Sequence, residues 1–262
     1  MHYPSLPRSF EVPESFNESS TLVPTPRFPH SGQFPHGRPA QEILDLVAPF
    51  LTTERQEKIR AVVEGRTCSV VPVLENIYDR GNISAVLRSA EALGFQCAHV
   101  IESDDKFKNS ARVSQGADKW LDVKKWRSTE PGGATRDCVA ELKRQGFQIL
   151  ATHLDDRARP LGEIDVTTPT AIVYGNERDG ISKEMIELCD QTVIIPMQGF
   201  VQSFNISVAA AISLYHISRE RELKLGLRGD LNDVEKTILK AEFSLRSSKN
   251  PEKLIEEILA RK

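Results

Sequence analysis

Between residues 68 and 225, short apolar runs alternate with stretches whose apolar positions recur every three or four residues. The runs SVVPVLE, QCAHVI, WLDVKK, FQILATH, AIVYG and TVIIP have the length and composition of strands. Segments 82 to 93, 107 to 115, 134 to 145 and 204 to 222 carry helical periodicity. Repeated strand and helix predict an α/β fold: a mostly parallel sheet with helices on both faces. Ahead of it, helical pattern runs from Gln41 to Gly65, breaks at Pro49 and restarts at a capping box formed by Thr53 and Gln56, before Ile59, Val62 and Val63. Behind it, Gly226 and Gly229 precede two amphipathic stretches, 231 to 243 and 251 to 261. Residues 1 to 40 hold eight of the fifteen prolines and almost no periodicity. Such a segment buries too little apolar surface to offset ordering entropy, so a flexible arm is expected. The expected organisation is an arm (1–40), a helical extension (41–66), an α/β domain (67–225) and C-terminal helices (226–262).

A length of 262 residues accommodates one full core with appendages. The longest apolar stretch, residues 206 to 217, is interrupted by Ser207, Ser213 and His216, short of the roughly eighteen residues of a spanning helix. Cys68, Cys97, Cys138 and Cys189 lack the close spacing of zinc sites or redox dithiols, so buried thiols are expected. The six histidines form no metal-binding pair at helical spacing, and no metal is expected. A formal charge of −3 does not advertise a nucleic-acid binder, yet leaves room for a local basic face. Glu11, Glu14 and Glu18 argue against an intact transit peptide, and no signal-peptide apolar region is visible. The expected location is cytoplasmic, or plastid or mitochondrial if a transit segment has been removed.

Three segments carry small and amide-bearing residues where strands should end, the position at which parallel sheets bind ligands. In NISAVLRSAEALG (82–94), Asn82 reads as an N-cap and Gly94 as a helix stop, while Ile83, Val86, Leu87, Ala90 and Leu93 form the buried stripe. Arg88 falls on the other side; near a strand-end cleft its planar fork can grip a phosphate. AIVYGNERDGIS (171–182) has the spacing of a phosphate-binding loop, but Ile181 stands where lysine belongs, and Glu177 and Asp179 oppose phosphate. A glycine-rich turn capped by Ser182 accounts for Gly180 and Ser182, though not for Asn176 and Glu177 together. VIIPMQGFVQSFNISVAAAISLYH (193–216) follows a strand with polar Gln202, Ser203 and Asn205, then a helix apolar around most of its circumference. Such a helix needs the core on one side and another subunit on the other.

Together these segments resemble the signature motifs of the SpoU branch of the SPOUT RNA methyltransferases. ILATHL (149–154) and the stretch from Ile194 to Tyr215 are most similar to the tRNA (guanosine-18)-2'-O-methyltransferases, and the resemblance spans about residues 50 to 222. It implies a C-terminal deep trefoil knot, S-adenosyl-L-methionine as cofactor, a homodimer, and methylation of a ribose 2'-hydroxyl. Ribosomal RNA stands as an alternative target, and a non-catalytic RNA-binding protein as an alternative function. By resemblance Arg88 is the catalytic residue, with Asn82, Glu177, Ser203 and Asn205 at matching functional positions. The cofactor pocket would comprise Thr152, Leu154, Gly175, Asn176, Gly180, Ile195, Met197, Phe204 and Ser207. A candidate tRNA surface comprises Arg55, Lys58, Arg60, Arg66, Arg80, Arg219 and Arg221, with Lys224 and Arg228 beside the last two. The chain departs from the pattern before Asn82, where Asp79, Arg80 and Gly81 replace Lys-Pro-His, and the proline-rich arm matches nothing in the family.

Overall fold

A computed structural model describes residues 25, 27–34, 37–102, 119–247 and 255–256. Seven strands run as β1 (Val70–Glu75), β2 (Cys97–Glu102), β3 (Asp122–Arg127), β4 (Gln148–Thr152), β5 (Arg159–Pro160), β6 (Thr170–Tyr174) and β7 (Gln191–Ile194). They form one sheet in the order β3-β2-β1-β6-β4-β7-β5, and every paired neighbour is parallel. The inner strands β1, β2 and β6 are buried throughout, as continuous apolar runs in a doubly covered sheet should be. The two-residue β5 carries no strand pattern and escaped the sequence reading.

The helices are α1 (Ala40–Val47), α2 (Thr53–Glu64), α3 (Arg80–Ala92), α4 (Gly133–Arg144), α5 (Lys183–Leu188), α6 (Ile206–Leu225) and α7 (Asp233–Ser247). One face of the sheet packs α4 and α5, with α1, α2 and α7 gathered beside them; the other packs α3 and α6. The helix expected near residues 107 to 115 and most of the stretch 251 to 261 lie outside the described residues.

Local chemistry explains where the helix starts differ from expectation. Thr52, not Thr53, is extended and caps α2, its hydroxyl accepting from the Arg55 N–H at 3.3 Å, while Gln56 reaches the carbonyls of Ala48 and Leu51. Asp79, not Asn82, caps α3, accepting from the Gly81 N–H at 2.7 Å. Asn82 therefore lies inside the first turn, its side chain available for a tertiary bond. Gly94 ends α3 as expected, with φ +86° and a backbone approach to the Gly65 carbonyl that leaves no room for a Cβ.

The arm departs most from its composition. Phe28 and Phe34 are buried against the core, the N–H and hydroxyl of Thr25 donate to Glu235 at 2.6 and 2.7 Å, and His30 Nε2 meets Asp122 at 2.8 Å. Residues 27–34 are thus a packed strap across the amino end of β3 and α7, because two aromatic anchors and buried acceptors outweigh the local absence of periodicity. The four cysteines are free and buried, burial pushing the Cys138 thiol well up and keeping it protonated. No helix among the described residues is long and apolar enough to cross a membrane.

Candidate active site

β1 feeds α3 on one face of the sheet and its neighbour β6 feeds α5 on the other. The loops leaving these strands must therefore part, and the crevice between them, outside the carboxyl ends, is where open parallel sheets hold ligands. The loop after β6 is a tight turn: Asn176 and Gly180 exchange backbone hydrogen bonds of 3.1 Å, and the Asn176 side-chain oxygen accepts from the N–H groups of Arg178 (2.8 Å) and Asp179 (2.6 Å). A Cβ at Gly175 would stand 2.2 Å from the Gly180 carbonyl carbon, so only glycine permits this closure.

That turn projects Glu177 across the crevice. Its Oε1 accepts from Asn82 Nδ2 at 2.7 Å and its Oε2 from the Tyr78 N–H at 3.3 Å. A carboxylate at the first turn of α3 also complements the helix dipole. Arg178 lies 5.3 Å from the centroid of the Tyr78 ring, a cation–π distance, and that ring is partly exposed. Tyr78 was missed from sequence; an aromatic directly before a helix cap at a strand end was the available signal.

Arg88 is exposed on α3, six residues past Asn82 and so about 9 Å farther along the axis. Among the described residues it makes no ion pair, and no hydrogen bond joins Arg88, Ser203 or Asn205 to the Asn82–Glu177 pair. Ser203 and Asn205 lie exposed on the segment after β7. Asn205 Oδ1 accepts from the Ser207 N–H (2.9 Å) and hydroxyl (2.6 Å), so this pair caps α6. Thr152 Oγ1 donates to the Val173 carbonyl at 2.8 Å, tying the end of β4 to β6. Leu154 is 75% exposed, Phe204 is exposed, and Ile195 and Met197 are half-buried. Because β6, β4 and β7 are adjacent and parallel, the segments carrying these residues emerge on one edge. No group of three potential metal ligands comes together among the described residues.

The basic residues divide. Arg55, Lys58 and Arg60 are exposed along α2, Arg80 is exposed at the start of α3, and Arg219 is a half-buried partner of Glu222. Arg66 and Arg221 are corrections to the expected RNA surface. Arg66 is 1% exposed, bonded to Glu91 (2.8 Å) and the Phe95 carbonyl (3.0 Å), its burial pulling the guanidinium below its ordinary range against the opposing effect of Glu91. Arg221 is buried on the carbonyls of Val166, Thr167 and Thr168 and on Asp230. Both guanidiniums satisfy interior carbonyls, a role the planar fork suits as well as it suits phosphate.

The model of the SpoU rRNA Methylase family matches residues 69–215, from the start of β1 into α6, so it contains every element of this edge. This chain belongs to that family. The chain is 39% identical over 168 residues, 64% of its length and 71% of the relative, to a tRNA (guanosine(18)-2'-O)-methyltransferase of Escherichia coli strain K12. It is 36% identical over 176 residues, 67% of this chain and 87% of the relative, to the Thermus thermophilus protein of the same name. Among solved structures, the A. aeolicus TrmH/SpoU tRNA modifying enzyme superposes with a TM-score of 0.63 at 28% identity, covering 74% of this chain and 96% of that one.

Proposed function

We propose that this chain transfers a methyl group from S-adenosyl-L-methionine to the ribose 2'-hydroxyl of guanosine-18 in tRNA. The observation that carries the reading is the Glu177 carboxylate bridging the crevice to Asn82 and the Tyr78 N–H, within a span that matches the SpoU family and its tRNA-methylating relatives.

The edge formed by β4, β6 and β7 fits the cofactor. It offers an exposed apolar side chain in Leu154, a glycine turn too tight for any Cβ at 175, and polar Thr152 and Asn176 among uncharged backbone. Thr152, Leu154, Gly175, Asn176, Gly180, Ile195, Met197, Phe204 and Ser207 would hold it. When bound, it supplies an electrophilic methyl on a sulfonium. The chain's own residues position the acceptor and stabilise charge on it. A guanidinium offers donors and no acceptor, so Arg88 acts by binding negative charge and not as a general base. It binds phosphate and favours the developing negative charge on the ribose oxygen. Glu177 and Asn82 hold the first turn of α3, which carries Arg88; Ser203 and Asn205 fix the segment after β7 and contact substrate.

Three further parts belong to this reading. The segment after β7 is threaded as a trefoil knot, supported by the position of β7 between β4 and β5, both earlier in the chain. The protein is a homodimer, supported by the apolar face of α6 at Val208, Ile212 and Tyr215, which a single chain leaves exposed. Arg55, Lys58, Arg60, Arg80 and Arg219 meet the RNA backbone. Incubation with methyl-labelled S-adenosyl-L-methionine and unmodified tRNA, with a ribosomal RNA fragment in parallel, tests the function. Label mapped to the 2'-oxygen of guanosine-18 is expected; label on the ribosomal fragment alone, or on neither, overturns it.

A further inference from the structure

β1 ends in a charged residue to which neither the family resemblance nor the reading above gives a part. Glu75 is 1% exposed, and no cation pairs with it among the described residues. Three neutral donors hold it: Oε1 accepts from the hydroxyls of Thr135 (3.0 Å) and Ser182 (2.7 Å), and Oε2 from the Ser182 N–H (3.0 Å). Burying a carboxylate without a counter-charge is costly even when it is hydrogen-bonded, and an apolar residue would satisfy the sheet more cheaply. Its effect is geometric. It joins the end of β1 to α4 through Thr135 and to the start of α5 through Ser182, which also caps α5 by accepting from the Met185 N–H at 3.1 Å. Ser182 lies two residues past Gly180, where the turn bearing Glu177 closes. The turn is therefore anchored at its base by Glu75 and at its tip by Asn82 and the Tyr78 N–H.

We propose that Glu75 is a positioning residue for methyl transfer, acting through Ser182 to fix the 175–180 turn and with it the Glu177–Asn82 pair. This rests on the reading of the crevice as the transfer site. Glu75→Leu removes the acceptor at similar volume; Glu75→Gln retains an oxygen for the Ser182 N–H and serves as the conservative rescue. Glu75→Leu should lower kcat about a hundredfold while KM for RNA stays within about threefold, and Glu75→Gln should recover at least about tenfold of that loss. Because Glu75 acts through Glu177, adding Glu75→Leu to Glu177→Gln should slow the enzyme no further. Amide exchange in residues 175 to 180 should accelerate about tenfold or more in Glu75→Leu, a readout independent of turnover. If that variant does not fold, Ser182→Ala and Ser182→Thr carry the test, with loss expected only in the first. Unchanged exchange, wild-type kcat in Glu75→Leu, or losses that multiply with Glu177→Gln overturn the proposal. A wild-type protein that methylates no RNA but shows the exchange response would sink the functional reading and leave the positioning link standing.

Discussion

The amino end of the sheet and the solvent-facing rim of the candidate site hold the same residue types in opposite ways. At the amino end, Arg66, Arg221, Asp122 and Glu235 are drawn inside or nearly so, and each is bonded to a carbonyl, an opposite charge or an amide. Facing solvent instead, Arg88 on α3, Glu177 after β6, and Ser203 and Asn205 after β7 stay exposed, and Arg88 makes no ion pair among the described residues. Buried polar groups whose capacity is filled specify architecture. Exposed ones held in place with capacity remaining can act on a ligand, so the difference marks where chemistry belongs.

The largest expected effect that would break this contrast is at Arg88. Arg88→Ala should reduce turnover about a thousandfold or more, near 4 kcal/mol of transition-state stabilisation, with cofactor affinity within about threefold. Equal losses in both would make Arg88 part of the cofactor pocket. Arg66→Ala should do the reverse. Leaving Glu91 and the Phe95 carbonyl without their partner should destabilise the fold by about 3 kcal/mol, read as a lowered denaturant midpoint, while kcat of the folded fraction is kept. Undiminished stability would return Arg66 to the RNA surface.

A smaller effect is expected from replacing Arg55, Lys58 and Arg60 together by alanine. The slope of log affinity for tRNA against log salt should fall by roughly two, from about 0.7 to 0.9 per phosphate contact. An unchanged slope would move the RNA footprint off α2. The smallest concerns acid. Burial pushes the Asp122 carboxyl up, but the bonds and charges of His30 and Arg246 more than offset this and hold it below its usual range. Its folded pKa being depressed, the stability it contributes is present above about 3.9 and lost as pH falls through the folded value. The strap at residues 27–34 should therefore gain amide exchange below about pH 4 before α6 does; simultaneous loosening would uncouple the strap from Asp122.

Periodicity and turn chemistry are local, and what depends on them was legible. The alternation of strands and helices, the stop at Gly94 and the cap at Ser182 all appear in the fold. Capping roles shifted where two eligible residues compete nearby: Thr52 for Thr53, and Asp79 for Asn82. The second shift matters, because Asn82 is thereby left to meet Glu177, a contact across 95 positions that no local pattern encodes. Arg66 and Arg221 were misassigned for the same reason, since their partners lie 25 residues downstream at Glu91 and 53 to 55 upstream at Val166 to Thr168. An arginine bound for a carbonyl cage reads like one bound for phosphate. The strap was hidden because two phenylalanines in a proline-rich segment make no period. Glu75 did leave a trace, as the lone charge closing an otherwise apolar strand.

Hydrogen exchange with and without S-adenosyl-L-methionine tests the contrast between the amino end and the candidate site most directly. Protection is predicted at residues 152 to 154, 175 to 180 and 195 to 207, with none in the strap, around Arg66 or in α7. Protection centred on the amino end, or absent from all three carboxyl-end segments at saturating cofactor, would contradict the account.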